Sequence, residues 1–124
     1  MNLRKHERIP VDYAGSFVGG YLRGKGVILD LSIAGCRVSS PSVVTTGDIL
    51  GVLIELPGRE HPLYITRTVV RWTTATEFGM EFILMDLHDR QRLDHMVLKA
   101  ELFIYRALEK TESIYGFPYP PDTP

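Results

Sequence analysis

From Ile9 to about Leu84 the chain alternates short apolar runs with turn-forming residues. The breaks fall at Gly19-Gly20, Gly24-Lys25-Gly26, Ser40-Pro41, Gly47-Asp48 and Pro57-Gly58. Runs of this kind predict short strands, and their close spacing predicts an antiparallel sheet closed into a barrel or sandwich. Two longer runs, Ile49 to Leu56 and Leu63 to Trp72, read as paired strands. In the second, a strict period of two puts Tyr64, Thr66, Thr68 and Val70 on one face. Leu63, Ile65, Arg67, Val69 and Arg71 fall on the other, so Arg67 and Arg71 point the same way.

From Leu87 to about Glu112 the period becomes helical. Leu93, Met96, Val97, Ala100, Phe103, Ile104 and Ala107 recur at three- and four-residue spacing and make one apolar stripe. Asp86 or His88-Asp89 is placed to cap the start. A second, narrower stripe comprises Leu98, Leu102 and Tyr105, with Leu87 on the same side. Asp94 and Glu101 lie along one boundary between the stripes, Lys99 and Arg106 along the other. A helix packed on a barrel needs one stripe. The second therefore predicts another contact: a homodimer first, then cover by the tail or by a different protein.

The ends read differently. Residues 1–8 are polar and locally basic and predict a flexible arm. Residues 113–124 are rich in proline and aromatics, which oppose a helix and favour extended chain. The expected organisation is an arm at 1–8, a barrel at 9–85, a helix at 86–112 and a tail at 113–124.

At 124 residues the chain suits one domain with a real core. A net charge of −1 argues against a nucleic-acid binder that works through a global basic field, yet leaves room for a small anionic ligand held by a local cluster. The single cysteine, Cys36, excludes an internal disulfide and a cysteine-based zinc site, and reads as a buried thiol. No run reaches the roughly 18 apolar residues of a membrane span, and no signal peptide is visible. The expectation is a cytoplasmic protein with no membrane insertion.

Catalytic chemistry finds little support. His6, His61, His88 and His95 lack metal-ligand spacing. Ser32 has no Gly-x-Ser-x-Gly elbow, and Gly24-Lys25-Gly26 lacks the rest of a phosphate loop, so a hairpin turn accounts for it. No acid, base and nucleophile assemble, and the expectation is a non-enzyme without cofactor or metal.

Two short motifs carry the chemistry that remains. Arg4 and Arg8 open the chain as Arg-x-x-x-Arg, and Asp30-Leu31-Ser32-Ile33-Ala34-Gly35 follows about two dozen residues later. Paired guanidiniums fork onto phosphates, stack on flat bases or grip the acceptor edge of guanine. Asp30 can accept from guanine N–H donors, the Ser32 hydroxyl can donate or accept, and Gly35 permits a tight bend. Together they describe a site for a guanine-containing, doubly anionic small molecule.

The pair resembles the PilZ family, the bacterial receptors for cyclic di-GMP, whose pattern is Arg-x-x-x-Arg followed by (Asp/Asn)-x-Ser-x-x-Gly. Ile9-Pro10-Val11, Val27-Ile28-Leu29, Val69-Val70-Arg71-Trp72 and Phe78-Gly79-Met80-Glu81-Phe82 fit the surroundings, so the resemblance covers residues 3–85. It implies a six- to seven-stranded antiparallel β-barrel with a C-terminal α-helix. It further implies that Arg4 and Arg8 bind guanine edges and phosphates, that Asp30 and Ser32 bind a guanine, and that Gly35 shapes the turn. Lys5, Arg37, Arg67, Arg71, Trp72 and Gly79 are further candidates for the same site. Leu3, just before the first arginine, leans toward one nucleotide rather than an intercalated pair, and Lys5 replaces an arginine often found there. The implied partners are cyclic di-GMP and a protein target that responds to it. Two rivals remain: a PilZ-like adaptor that binds no nucleotide, and a small oligonucleotide-binding barrel. The net charge of −1 disfavours the second.

Overall fold

The computed structural model describes the backbone of residues 7–114 and the side chains as far as Leu108. Six strands run in order: β1 (Ile9–Gly19), β2 (Leu22–Leu31), β3 (Gly35–Ser39), β4 (Ile49–Ile54), β5 (Leu63–Thr73) and β6 (Glu77–Leu84). One helix, α1 (Leu87–Ile114), follows. All neighbouring strands pair antiparallel, and the sheet closes in the order β1-β2-β3-β6-β5-β4. Closure leaves no unpaired strand edge. The fold is the six-stranded antiparallel barrel with a C-terminal helix that the motifs implied.

Inward-facing residues of every strand fill the barrel. Phe17, Ile28, Val38, Val52, Ile65, Val70 and Phe78 are all at most 3% exposed. Phe17 and Phe78 meet edge to face with centroids 5.3 Å apart, the arrangement that sets a ring's positive edge on its neighbour's negative face. Leu93 and Val97 of α1 join the same core.

Two details depart from the simple pattern. Gly24-Lys25-Gly26 is not a turn but lies inside β2. A Cβ at Gly24 would stand 2.4 Å from the Phe17 ring, and one at Gly26 would stand 2.4 Å from the Ser39 carbonyl oxygen. The glycines make room for packing; the true turn lies earlier, at Gly20, with φ of 55°. In β5 the strict alternation also fails. Leu50 pairs with Thr68 but Val52 with Ile65, so β5 carries an extra residue there. This bulge reverses the parity. Leu63 and Ile65 face inward, then Thr68 and Val70 do, while Arg67 and Arg71 both stay outside.

The helix begins where an acid can satisfy its free N–H groups. Asp86 accepts from the backbone N–H of His88 through its carboxylate and from that of Arg90 through its carbonyl. Arg92 then donates to the carbonyls of His61 and Pro62 and pairs with Asp89, tying the first turns to the loop before β5. Only the first half of the apolar stripe is covered. Leu93 and Val97 are buried and Met96 and Ala100 partly so, but Phe103 is 73% exposed. The expectation of packing as far as Ala107 is corrected: the helix outruns the barrel wall after Ala100.

Candidate functional site

Strand register gathers four of the candidate residues, Asp30, Arg37, Gly79 and Trp72, into one row across the outside of the barrel. Pro10 pairs with Asp30, Asp30 with Arg37, Arg37 with Gly79, and Gly79 with Trp72. Residues far apart in sequence thus stand side by side at strand spacing, roughly 5 Å apart. No periodicity argument could have placed them so; the row depends on which strands are neighbours.

Asp30 is the centre of charge. Its carboxylate accepts from Arg8 Nη1 at 2.8 Å through one oxygen and from Arg37 Nε at 3.0 Å through the other. Arg37 reaches on to Glu77, at 2.8 Å. The network Arg8–Asp30–Arg37–Glu77 therefore alternates in sign, with the Asp30 side chain 15% exposed and both arginines near 40%. The hydrogen bonds it donates to Asp30 and then Glu77 hold the Arg37 guanidinium above the ordinary arginine range. Glu77 was not singled out from the sequence. Its signal was parity: it stands two residues before Gly79 on the same outward face of β6.

Trp72 and Gly79 form the flat end of the row. A Cβ at position 79 would fall 2.1 Å from Trp72 Nε1, so the indole lies directly against the glycine. The tryptophan residue remains 40% exposed. An open aromatic face beside an arginine can stack a planar base.

Ser32 and Gly35 do different work. The Ser32 hydroxyl accepts from the N–H groups of Ala34 and Gly35, both at 3.1 Å, and donates to the Gly35 carbonyl at 3.3 Å. The residue is 2% exposed. This is a serine closing a turn on itself. Gly35 is needed because β3 and β6 approach closely: a Cβ there would meet the Met80 carbonyl oxygen at 2.3 Å. The turn is also tied to α1, since Arg90 Nη1 donates to the Ile33 carbonyl.

The other candidates separate. Arg71 pairs with Glu81 at 2.6 Å, next to the row. Arg67 stands opposite Leu84, five residues from Trp72, or about 16 Å at roughly 3.3 Å per residue. The barrel does not bring Arg67 to the row. Arg4 and Lys5 lie outside the described residues, as do most of the flexible arm expected at residues 1–8 and most of the tail, whose cover of the second stripe is one alternative to a homodimer. Among the described residues no cluster of histidine, cysteine, aspartate or glutamate could hold a metal ion, and no helix is long and apolar enough to cross a membrane.

A closed antiparallel barrel with its polar chemistry on the outer wall and a C-terminal helix whose first turns join its core defines the class of this protein. The chain belongs to the PilZ family: its sequence matches the PilZ domain over residues 2–99. Solved structures agree on the fold. The inhibitor of motility MotI/DgrA of Bacillus subtilis superposes with a TM-score of 0.66 at 20% identity, covering 82% of this chain and 52% of that one. The PilZ domain of CeSA from a cellulose-synthesizing bacterium gives 0.60 at 19% identity, covering 77% and 98%. The PilZ domain of YcgR from Escherichia coli, solved with c-di-GMP, gives 0.67 at 11% identity, covering 88% and 99%. The chain thus spans about half the length of MotI. Among curated proteins no sequence matches this chain significantly.

Proposed function

We propose that this protein is a cyclic di-GMP receptor rather than an enzyme, and that it relays the signal through ligand-dependent contacts with another protein. The observation that carries the reading is the Arg8–Asp30 pair at one end of a row that ends in the exposed Trp72 face, in a chain of the PilZ family. Arg4 and Arg8 would grip guanine edges and phosphates, Asp30 would accept from guanine N–H donors, and Trp72 over Gly79 would offer a stacking face. Ser32 and Gly35 would serve by fixing the turn that carries Asp30, since the buried hydroxyl is committed there. The solved YcgR domain, which holds c-di-GMP, supports the ligand.

The protein contact would use the exposed face of α1, and a homodimer through that helix is part of the reading. A cytoplasmic location follows from the ligand's chemistry as a soluble second messenger.

Calorimetry with cyclic di-GMP tests this. Micromolar or tighter binding is expected, with Arg8→Ala and Asp30→Ala each weakening it at least tenfold, about 1.4 kcal/mol. Equal affinity in Arg8→Ala and the parent would sink the assignment and favour an adaptor that binds no nucleotide.

A further inference from the structure

The two charged boundaries of α1 follow one rule. Asp94 and Glu101 are seven residues apart, Lys99 and Arg106 are seven apart, and each acid precedes a base by five. The residues between them, Leu98, Leu102 and Tyr105, are spaced four and three, and are 55%, 47% and 60% exposed. That is the arithmetic of a heptad in which Leu98 and Tyr105 take one seam position, Leu102 the other, and the acids and bases flank the seam. Apolar spacing alone would not choose a partner. The charges do.

We propose that α1 pairs in parallel with α1 of a second copy, with Leu98, Leu102 and Tyr105 as the seam. In a parallel two-fold pair the acidic flank of one helix faces the basic flank of the other, five residues further on. Asp94 then meets Lys99 of the partner subunit, and Glu101 meets Arg106 of the partner subunit. In an antiparallel pair each flank would face its own kind, and four like-charge contacts would result. Asp94 makes only a long 3.8 Å contact with Arg90, and Glu101, Lys99 and Arg106 make no ion pair among the described residues. Among the described residues no close ion pair claims any of the four.

The barrel's position agrees. Leu93, Met96, Val97 and Ala100, which pack on the barrel, lie roughly 150° around the helix from the seam, at about 100° per residue. The seam therefore faces away from its own barrel, and two barrels can sit outside the pair without collision. The helix also runs past the barrel after Ala100, which leaves the second half of the seam clear of both.

This inference rests on reading α1 as a contact surface and is independent of the nucleotide. The experiment is charge exchange in the full chain, read by light scattering across a concentration series. The parent should dimerise at tens of micromolar. Glu101→Lys alone and Arg106→Glu alone should each run as monomers, because each sets like charges together. A one-to-one mixture of the two variants should regain the dimer, since every facing pair is then opposite in sign. Circular dichroism should show equal helix content throughout, and Glu101→Lys should bind cyclic di-GMP as the parent does. A monomeric parent, single variants that still dimerise, or a mixture that stays monomeric would each overturn the proposal. Loss of nucleotide binding in the parent would instead overturn the receptor reading and leave this one standing.

Discussion

Single atoms decide much of the candidate site. Gly79 has no room for a methyl group, because the Trp72 indole lies 2.1 Å from where its Cβ would be. Gly79→Ala should push the indole off the barrel wall at a cost of about 1–3 kcal/mol in overpacking. A shift in the tryptophan emission maximum and weaker cyclic di-GMP binding are the expected readouts; unchanged emission would mean that the strand, not the ring, had moved. Cys36 tests the other side of the same wall. Burial first, then the Asp30 charge, push its thiol up to about 12 from 9.0, with Arg8 opposing. The folded protein therefore holds this proton more tightly than the unfolded chain. The stability it lends is complete below pH 9.0 and is lost as pH rises toward about 12. Thermal melts at pH 8 and above pH 10 should diverge more in the parent than in Cys36→Ala, and the native thiol should resist alkylating reagents at neutral pH.

Elements show what could be read from the chain and what could not. The helix was legible because its period is long and its capping residue, Asp86, stands immediately before it. The barrel was legible as strands between turns. Two things were hidden. The Gly24-Lys25-Gly26 run looked like a turn because glycine marks both turns and crowded strands, and only the Phe17 ring across the pair distinguishes them. The β5 bulge was invisible because an inserted residue leaves no mark in composition. The site shows the same division: the motifs named Asp30 and Arg8, but the contact of Glu77 with Arg37 became visible only when β3 and β6 proved to be neighbours. The helix itself allows a contrast within one stripe. Leu93 is 0% exposed and Phe103 73%. Leu93→Ala should destabilise the domain by about 2–5 kcal/mol, while Phe103→Ala should stay within about 0.5 kcal/mol. Chemical denaturation of both variants checks this; equal losses would mean that the helix is covered along its whole length.

At the scale of the molecule, the question is how a ligand on the barrel wall could be felt by the helix. Among the described residues, the one direct polar link between the motif turn and α1 is the hydrogen bond from Arg90 to the Ile33 carbonyl, in the turn that Ser32 closes. Asp30 lies two residues before that turn and already carries two arginines. A guanine that took over its carboxylate would release Arg8 and Arg37 from it and load the turn from one side. Arg90 would carry that load into the first turns of α1, which Arg92 anchors to the far loop. Cyclic di-GMP should therefore slow amide exchange in the first turns of α1 in the parent. In Arg90→Ala the affinity should change by less than about threefold, since Arg90 stands outside the row, but the helix response should vanish. Equal slowing in parent and variant would show that the signal reaches the helix by the packed core, through Leu31 and Val97, rather than by this bond.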